Sequence, residues 1–504
     1  MRSIVAIAGA IAAVSAFPTV ENLARLAQHN GLPSLTSKAS IETLNEQLTR
    51  LKKKRLLFDP LTDPIDGTRI FHTISIWRDH ILTDLEVSGK HAFKAPDFKR
   101  GDQRGPCPGL NALANHGYIP HDGVVSVCFH GAAIFLIRSN FIEVVEQANT
   151  VFGMGLDLVG ILAGVATLYV GTPLSPNPGF SIGGMSPKSE NILGNLFGLL
   201  GKPRGLEGTH NTIESDSSAT RNDLYNTGNA HTMNFTLYQK MAEYADDDGF
   251  ITMDDLADRA VERFYESIAT NPTFYYGPYT GTIARNAGYA FMGRFLSNHT
   301  KEHPLGGHLC MSLLHHLLPL IYGSMRMCRH TNKFSGKKVL ASFLGVYEED
   351  GKQVYREGHE RIPENWYRLA VDYDLNSYNL DLVAWVTKHP ILLSIGGNLG
   401  EVNSFAGIDI GNITGGIMNV AKLLEGNNLI CFALTVLKTF VPSSLTASIF
   451  ATLEPLLNFL DDILLHPLLD LSCPVFADLS LGGTDLWSGL LDRYPGARQS
   501  GMAF

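Results

Sequence analysis

The stretch that most constrains this chain is Arg104-Gly-Pro-Cys107-Pro-Gly-Leu-Asn-Ala-Leu-Ala-Asn-His116-Gly-Tyr-Ile-Pro120, which sets a cysteine between two prolines at the start of a short helix. Pro108 suits the first helical position, where a missing N–H costs nothing. The N–H groups of Gly109 and Leu110 are then free to point back at the sulfur, and Leu110, Leu113 and Ala114 give the helix one apolar side to bury. A helix N-terminus carries partial positive charge, so a sulfur placed there is expected to be stabilised as an anion with a lowered pKa. Such a thiolate is a good soft ligand for iron. The same residues also read as a half-buried cysteine in a loop, since a free cysteine ordinarily behaves as a small hydrophobe.

At 504 residues with 45% hydrophobic content, the chain can bury a large core and hold more than one layer or domain. Its 40 Lys and Arg against 49 Asp and Glu leave a formal charge of −9, so nothing points to nucleic acid or an anionic membrane as partner. Two apolar runs, 153–172 and 453–471, approach the length of a membrane span. Asp157 and several glycines interrupt the first, and Glu454, Asp461, Asp462 and two prolines the second, so both read as buried core.

Met1-Arg2, the apolar run 4–14 and the small-x-small ending Val14-Ser-Ala16 read as a secretory signal peptide over residues 1–16. A secreted, extracellular protein is expected to carry glycans at the sequons Asn234-Phe-Thr, Asn298-His-Thr and Asn412-Ile-Thr. Its cysteines are Cys107, Cys128, Cys310, Cys328, Cys431 and Cys473. With Cys107 taken as an iron ligand five remain, so at least one stays unpaired or pairs between chains, and Cys310–Cys328 and Cys431–Cys473 are the local pairings to test first. The basic run Lys52-Lys-Lys-Arg55 reads as a solvated helix face in preference to a processing site.

Along the chain the reading is mostly α. Residues 17–95 form an N-terminal extension with an amphipathic helix at 41–57, residues 96–345 the core, and residues 346–504 a C-terminal extension that includes Glu357-Gly-His-Glu-Arg-Ile-Pro-Glu-Asn-Trp366. Three-to-four spacing of apolar residues predicts core helices at 141–152, 153–169, 222–244, 252–270, 282–296 and 308–327. Pro173, Pro176 and Pro178 make 171–191 a loop.

The run from Val87 to Gly123, and above all Asp-Gln-Arg-Gly-Pro-Cys-Pro-Gly-Leu-Asn-Ala-Leu-Ala-Asn-His-Gly-Tyr-Ile-Pro-His-Asp-Gly, resembles the haem-thiolate peroxidases, the chloroperoxidase and unspecific peroxygenase family. By that resemblance Cys107 is the proximal axial ligand of a haem b iron, and the core takes that family's helical fold. A second element, Glu214-Ser-Asp216-Ser-Ser218-Ala-Thr-Arg221-Asn-Asp223, is similar to the family's Glu-x-Asp motif. The resemblance assigns magnesium, bound against a haem propionate, to Glu214, to Ser215 through its carbonyl, and to Ser218. Mg²⁺ prefers hard oxygens and takes one or two carboxylates, which suits the set. Without the resemblance the same residues read as a capped helix start.

The distal side departs from the pattern. Family members pair a Glu with an Arg on the helix after an Asn-Pro-x-Phe turn, or with a His in the middle of the metal motif. Aligning Asn271-Pro-Thr-Phe274 puts Tyr279 and Asn286 at the first two positions, and the middle of the metal motif is Ser215. Arg285, Glu262 and Glu266 are the substitutes offered, and Arg285 equally suits a propionate or a surface carboxylate. Phe274, Tyr275, Phe291 and Phe295 are candidate channel walls, or ordinary core.

Three rival patterns compete. Gly179-Phe-Ser181-Ile-Gly183 matches a serine-hydrolase elbow, which needs a strand before and a helix after it. Residues 244–255, with Asp246, Asp248, Gly249 and Asp255, echo a calcium loop but begin on Tyr244, so a turn with a helix cap is favoured. His308, Cys310, Cys328 and His330 suit either a zinc site or a disulfide with two ordinary histidines. The sequence is read as a secreted, mostly α haem-thiolate peroxidase acting on hydrogen peroxide and a small organic substrate, by one-electron oxidation, halogenation or oxygen insertion. The alternatives are a haem-binding protein with little turnover and a serine hydrolase using Ser181.

Overall fold

A computed structural model describes residues 85–126, 140–172, 179–188, 203–246, 249–297, 299, 333–364, 366–369, 372–426, 428–439 and 479–500. The expected leader, the 41–57 helix, Lys52–Arg55, the 308–327 helix with its histidines, the 453–471 run, Asn298 and the cysteines 128, 310, 328 and 473 lie outside those residues. Cys431 is disulfide-bonded, whereas Cys107 is free.

The fold is mostly α, with small sheets of two or three strands among the described residues. Helix Pro108–Asn115 begins with proline in its first turn, as its sequence dictates, and Cys107 is its N-cap. Helix Asn140–Phe152 packs on helix Leu156–Val170. Val159, Ala163, Val165, Ala166 and Val170 of the second are buried, and among the described residues no helix is long and apolar enough to cross a membrane. Helix Met253–Thr270 is launched by a capping box in which Thr252 and Asp255 satisfy one another's backbone N–H groups. It buries Leu256, Ala257, Ala260 and Phe264. Asp246 accepts the N–H of Phe250 just upstream, so the residues with a calcium-loop look include a turn followed by a cap.

Two predicted helices come out differently. Residues 222–244 split into Leu224–Thr227 and Phe235–Ala242. Gly228, at φ +71°, ends the first, and the Asn234 side chain accepts from the N–H of Leu237 to start the second. Residues 282–296 begin inside a π-helical turn, Thr280–Arg285, that runs into helix Asn286–Phe295. Residues 171–191, read as loop, contain strand Gly179–Ser181, which pairs antiparallel with Val124–Ser126. That pairing brings Ile182 against the cysteine loop so closely that a Cβ on Gly105 would lie 2.0 Å from its carbonyl oxygen. A glycine is therefore required two residues before the cysteine.

The chain beyond residue 345 closes back on the cysteine helix. Asn115 donates to the carbonyls of Gly358 (2.7 Å) and Glu360 (2.8 Å), and the N–H of Ile362 donates to His116 Nε2 (3.1 Å). A sheet of Tyr275–Tyr276, Ile395–Gly397 and Ala406–Ile408 ties the middle of the chain to its later part. The buried pair Arg294–Asp381, to which Tyr373 also donates, adds a second tie.

Candidate haem-thiolate site

Cys107 sits where the sequence puts it, as the N-cap of Pro108–Asn115, and its side chain makes no cap hydrogen bond, although the nearby N–H groups of Leu110 and Gly109 favour its anion. The expected fall in its pKa does not follow. Although the residue keeps some solvent contact, desolvation pushes the thiol up and outweighs the two N–H groups and the nearby Arg221, while Glu360 also pushes upward. Helix-end polarity is a weak field beside the loss of water around a sulfur anion.

The second element lies in a loop held from several sides. His210 Nδ1 is 2.8 Å from Glu214 Oε2. Burial alone lowers the imidazole pKa, but Glu214, Asp216 and Asp223 push it up to about 9. Thr209 Oγ1 accepts the N–H of Glu214 (3.0 Å). Ser217 adopts a left-handed φ of +59°, unusual for a non-glycine residue, and its N–H donates to Asp223 Oδ1 (2.9 Å). Asn271 donates to Asp216 Oδ2 (3.0 Å) and Asp223 Oδ2 (3.1 Å). Arg263 donates to the Ser218 carbonyl (2.9 Å) and to Asp223 (3.1 Å). Burial and the adjacent Asp223 push the Asp216 carboxyl well up.

Glu214 Oε1 and Ser215 Oγ are buried without a hydrogen-bond partner. Orphaned hard oxygens of this kind are costly unless something binds them. Glu214 Oε1 fits the magnesium assigned to Glu214, Ser215 and Ser218 as far as donor chemistry goes, whereas the orphaned Ser215 atom is its hydroxyl and not the carbonyl so assigned. No cluster of three or more His, Cys, Asp or Glu suited to a metal occurs among the described residues, so that ion would need oxygens from a second source, as a propionate would provide.

The distal candidates are arranged otherwise than sequence suggests. Arg285 is buried with every donor group committed. Nε and Nη2 reach the Ser217 carbonyl (3.1 Å each), Nη2 also the Ala260 carbonyl, and Nη1 the Asn286 side chain (3.0 Å). Its guanidinium lies 4.6 Å from the Tyr289 ring centroid. Asn286 is equally occupied, accepting from Tyr276 and donating to the carbonyls of Thr282 and Leu392. Glu262 pairs with Arg259, and Glu266 with Lys240 and Arg263. Phe274 packs on Phe264, Tyr276 and Phe405 as core, and Phe291 and Phe295 pack on Tyr373. Tyr275 and Tyr279 instead line, with Thr212, Thr280, Val436 and Trp487, a partly open dent of about 20 Å³, room for a water molecule. Ser181, on a strand followed by bends, accepts the N–H of Gly183 (3.2 Å), so the strand-to-helix elbow is absent there.

With this geometry in view, the model of the family described as "Peroxidase, family 2" matches residues 91–371. The chain belongs to this peroxidase family, the chloroperoxidase family. It is 46% identical over 470 residues to an aromatic peroxidase of Fusarium equiseti, covering 93% of each chain. It is 34% identical to a dothistromin biosynthesis peroxidase of Dothistroma septosporum, over 82% of this chain and 87% of that one. An aromatic peroxygenase of Coprinellus radians is 32% identical over 35% of this chain and 60% of its own. This family 2 peroxidase is an oxidoreductase acting on peroxide, and its family implies a haem cofactor.

Sequence reasoning missed His210, Arg263 and Glu360. His210 stands four residues before Glu214, a spacing that was legible as a contact. Glu360 lies 249 residues from the Asn111 it binds, and no local pattern announces that.

Proposed function

We propose that this protein is a secreted haem-thiolate peroxidase that uses hydrogen peroxide to oxidise small aromatic molecules. The observation that carries the reading is Cys107, a free cysteine standing as the N-cap of helix Pro108–Asn115, where the N–H groups of Leu110 and Gly109 favour its anion. Haem b bound there would supply the redox chemistry on peroxide. Cys107 binds the iron and Pro108–Asn115 orients the sulfur. Glu214, the Ser215 carbonyl and Ser218 would hold magnesium, and His210 fixes the Glu214 carboxylate. Arg285 is a strut under Ser217 rather than a proton carrier, because each of its three nitrogens is committed to a structural bond. The aromatic names of the Fusarium and Coprinellus relatives support the substrate class.

The commitment of Arg285 and Asn286 to structural bonds favours a second reading, a haem-binding protein with little turnover. Positioned proton transfer contributes roughly 10²–10⁴-fold to such reactions. Peroxide-dependent oxidation of a phenol and of chloride by purified, haem-loaded protein decides between the two. A rate well above that of free haem is expected, and a rate equal to it leaves only the second reading standing.

A further inference from the structure

The segment 357–362 does more than cover the cysteine helix, because it places a carboxylate there. Glu360 is 3% exposed, and its Oε1 accepts from Asn111 Nδ2 at 2.9 Å. Asn111 is one helical turn beyond Cys107, with its N–H donating to the Cys107 carbonyl (3.1 Å). It also bonds Gly105 in both directions, so it fixes the loop on the other side of the cysteine as well. The second oxygen, Glu360 Oε2, is buried with no partner.

Two buried arginines share this cluster. Arg104 donates to Asn115 and to the carbonyls of Gln103 and His121, yet its Nη2 is buried and unpartnered. Its side chain packs against the same segment, since a Cβ on Gly358 would lie 3.4 Å from Arg104 Cγ. Arg221, 6% exposed, interacts electrostatically with both Glu360 and Cys107. Burial lowers the Arg104 pKa to about 10, which leaves the guanidinium charged at neutral pH.

Holding Asn111 requires only one acceptor oxygen, and an amide in place of the carboxylate would supply it. A buried carboxylate with an unbonded oxygen costs more than that amide. Burial pushes the Glu360 carboxyl up, while the Asn111 hydrogen bond, its own backbone N–H, Arg221 and Arg104 favour the anion; what the position adds over an amide is the negative charge that those groups favour. We propose that Glu360 is a positioning residue for the iron ligand: held by Asn111, its carboxylate adds negative charge behind Cys107 and lowers the reduction potential of the bound iron. The inference rests on Cys107 being that ligand. Neutralising Glu360 leaves ferrous iron less disfavoured. The change expected is roughly tenfold in the ferrous-to-ferric ratio, the order a unit charge gives at an effective dielectric of about 20, or about 59 mV for a one-electron couple.

The test is a spectroelectrochemical titration of the haem-loaded full chain, wild type against Glu360→Gln. The expected result is an unchanged thiolate-type Soret band for the carbon monoxide complex, with the midpoint raised by that amount. An unchanged midpoint in a variant that keeps the band overturns the proposal. A wild type without the band overturns the ligand assignment, which separates the two failures. Should Glu360→Gln not fold, Glu360→Asp keeps the charge but draws it back by one methylene, and an upward shift of smaller size is expected. A midpoint equal to wild type in that variant also counts against the proposal.

Discussion

Replacing Arg285 separates the structural role given to it here from a catalytic one. Its guanidinium bonds the Ser217 carbonyl, the Ser217 hydroxyl, the Ala260 carbonyl and the Asn286 side chain, and it lies against Tyr289. Some of these acceptors keep another partner: Tyr289 still donates to the Ser217 carbonyl (2.9 Å) and Tyr276 to Asn286 (3.2 Å). The net loss in Arg285→Ala is then two or three charge-assisted bonds at roughly 1 kcal/mol each, a cation–π contact of about 1 kcal/mol, and a cavity. About 3–5 kcal/mol of stability is expected to go, a value at the upper end for single substitutions. Arg285→Lys is expected to recover less than half, because a single ammonium cannot span those acceptors. Urea unfolding followed by circular dichroism gives the first quantity, and haem content per chain gives the consequence for the Ser217 loop. An Arg285→Ala protein with wild-type stability and haem content that no longer turns over peroxide would refute the strut and restore a catalytic arginine.

Three further outcomes follow from the structure. Burial alone would raise the Glu266 carboxyl, but hydrogen bonds from Lys240 and Arg263 hold it down to about 2. A depressed folded pKa contributes stability above the unfolded value near 4.5 that disappears as the pH falls towards 2. Glu266→Gln is therefore expected to cost about 1–2 kcal/mol near neutral pH, after allowance for solvent screening, with the gap to wild type closing below pH 4.5 in a pH series of urea melts. Gly123, at φ +71°, has the Gln103 carbonyl oxygen 2.2 Å from where a Cβ would stand, so Gly123→Ala is expected to cost about 3 kcal/mol or more and to lower haem retention measured by gel filtration. Asn271→Ala removes the one amide that bridges Asp216 and Asp223 and is expected to cost about 3 kcal/mol, read by thermal melting. Removing magnesium with a chelator is expected to weaken haem retention less in that variant than in wild type, because the loop is already loosened.

The parts of the site that sequence made legible are those whose causes are local. Proline at the first helical turn and free N–H groups after it place Cys107 without reference to the rest of the chain, and the Thr252–Asp255 cap is likewise complete within four residues. Periodicity failed where a single backbone feature overrides it. Gly228 and the Asn234 cap cut one apolar repeat into two helices, and the π-helical turn before Asn286 shifts which side chains of that element face inwards. The expected thiolate pKa failed for another reason: desolvation depends on everything packed around the sulfur, and sequence exposes only the helix end. The roles of Arg285 and Glu360 stayed hidden because their partners, Ser217 and Asn111, lie 68 and 249 residues away. Asn234 shows the reverse case, a sequon whose amide donates to Asn222 while its oxygen caps a helix.

The most direct test of the account is the absorption spectrum of the reduced, carbon monoxide-bound protein, wild type beside Cys107→Ala. The account predicts a strongly red-shifted Soret band in the wild type and its loss in the variant. A wild-type band at the position given by a histidine-ligated haem, unaffected by the substitution, would contradict it.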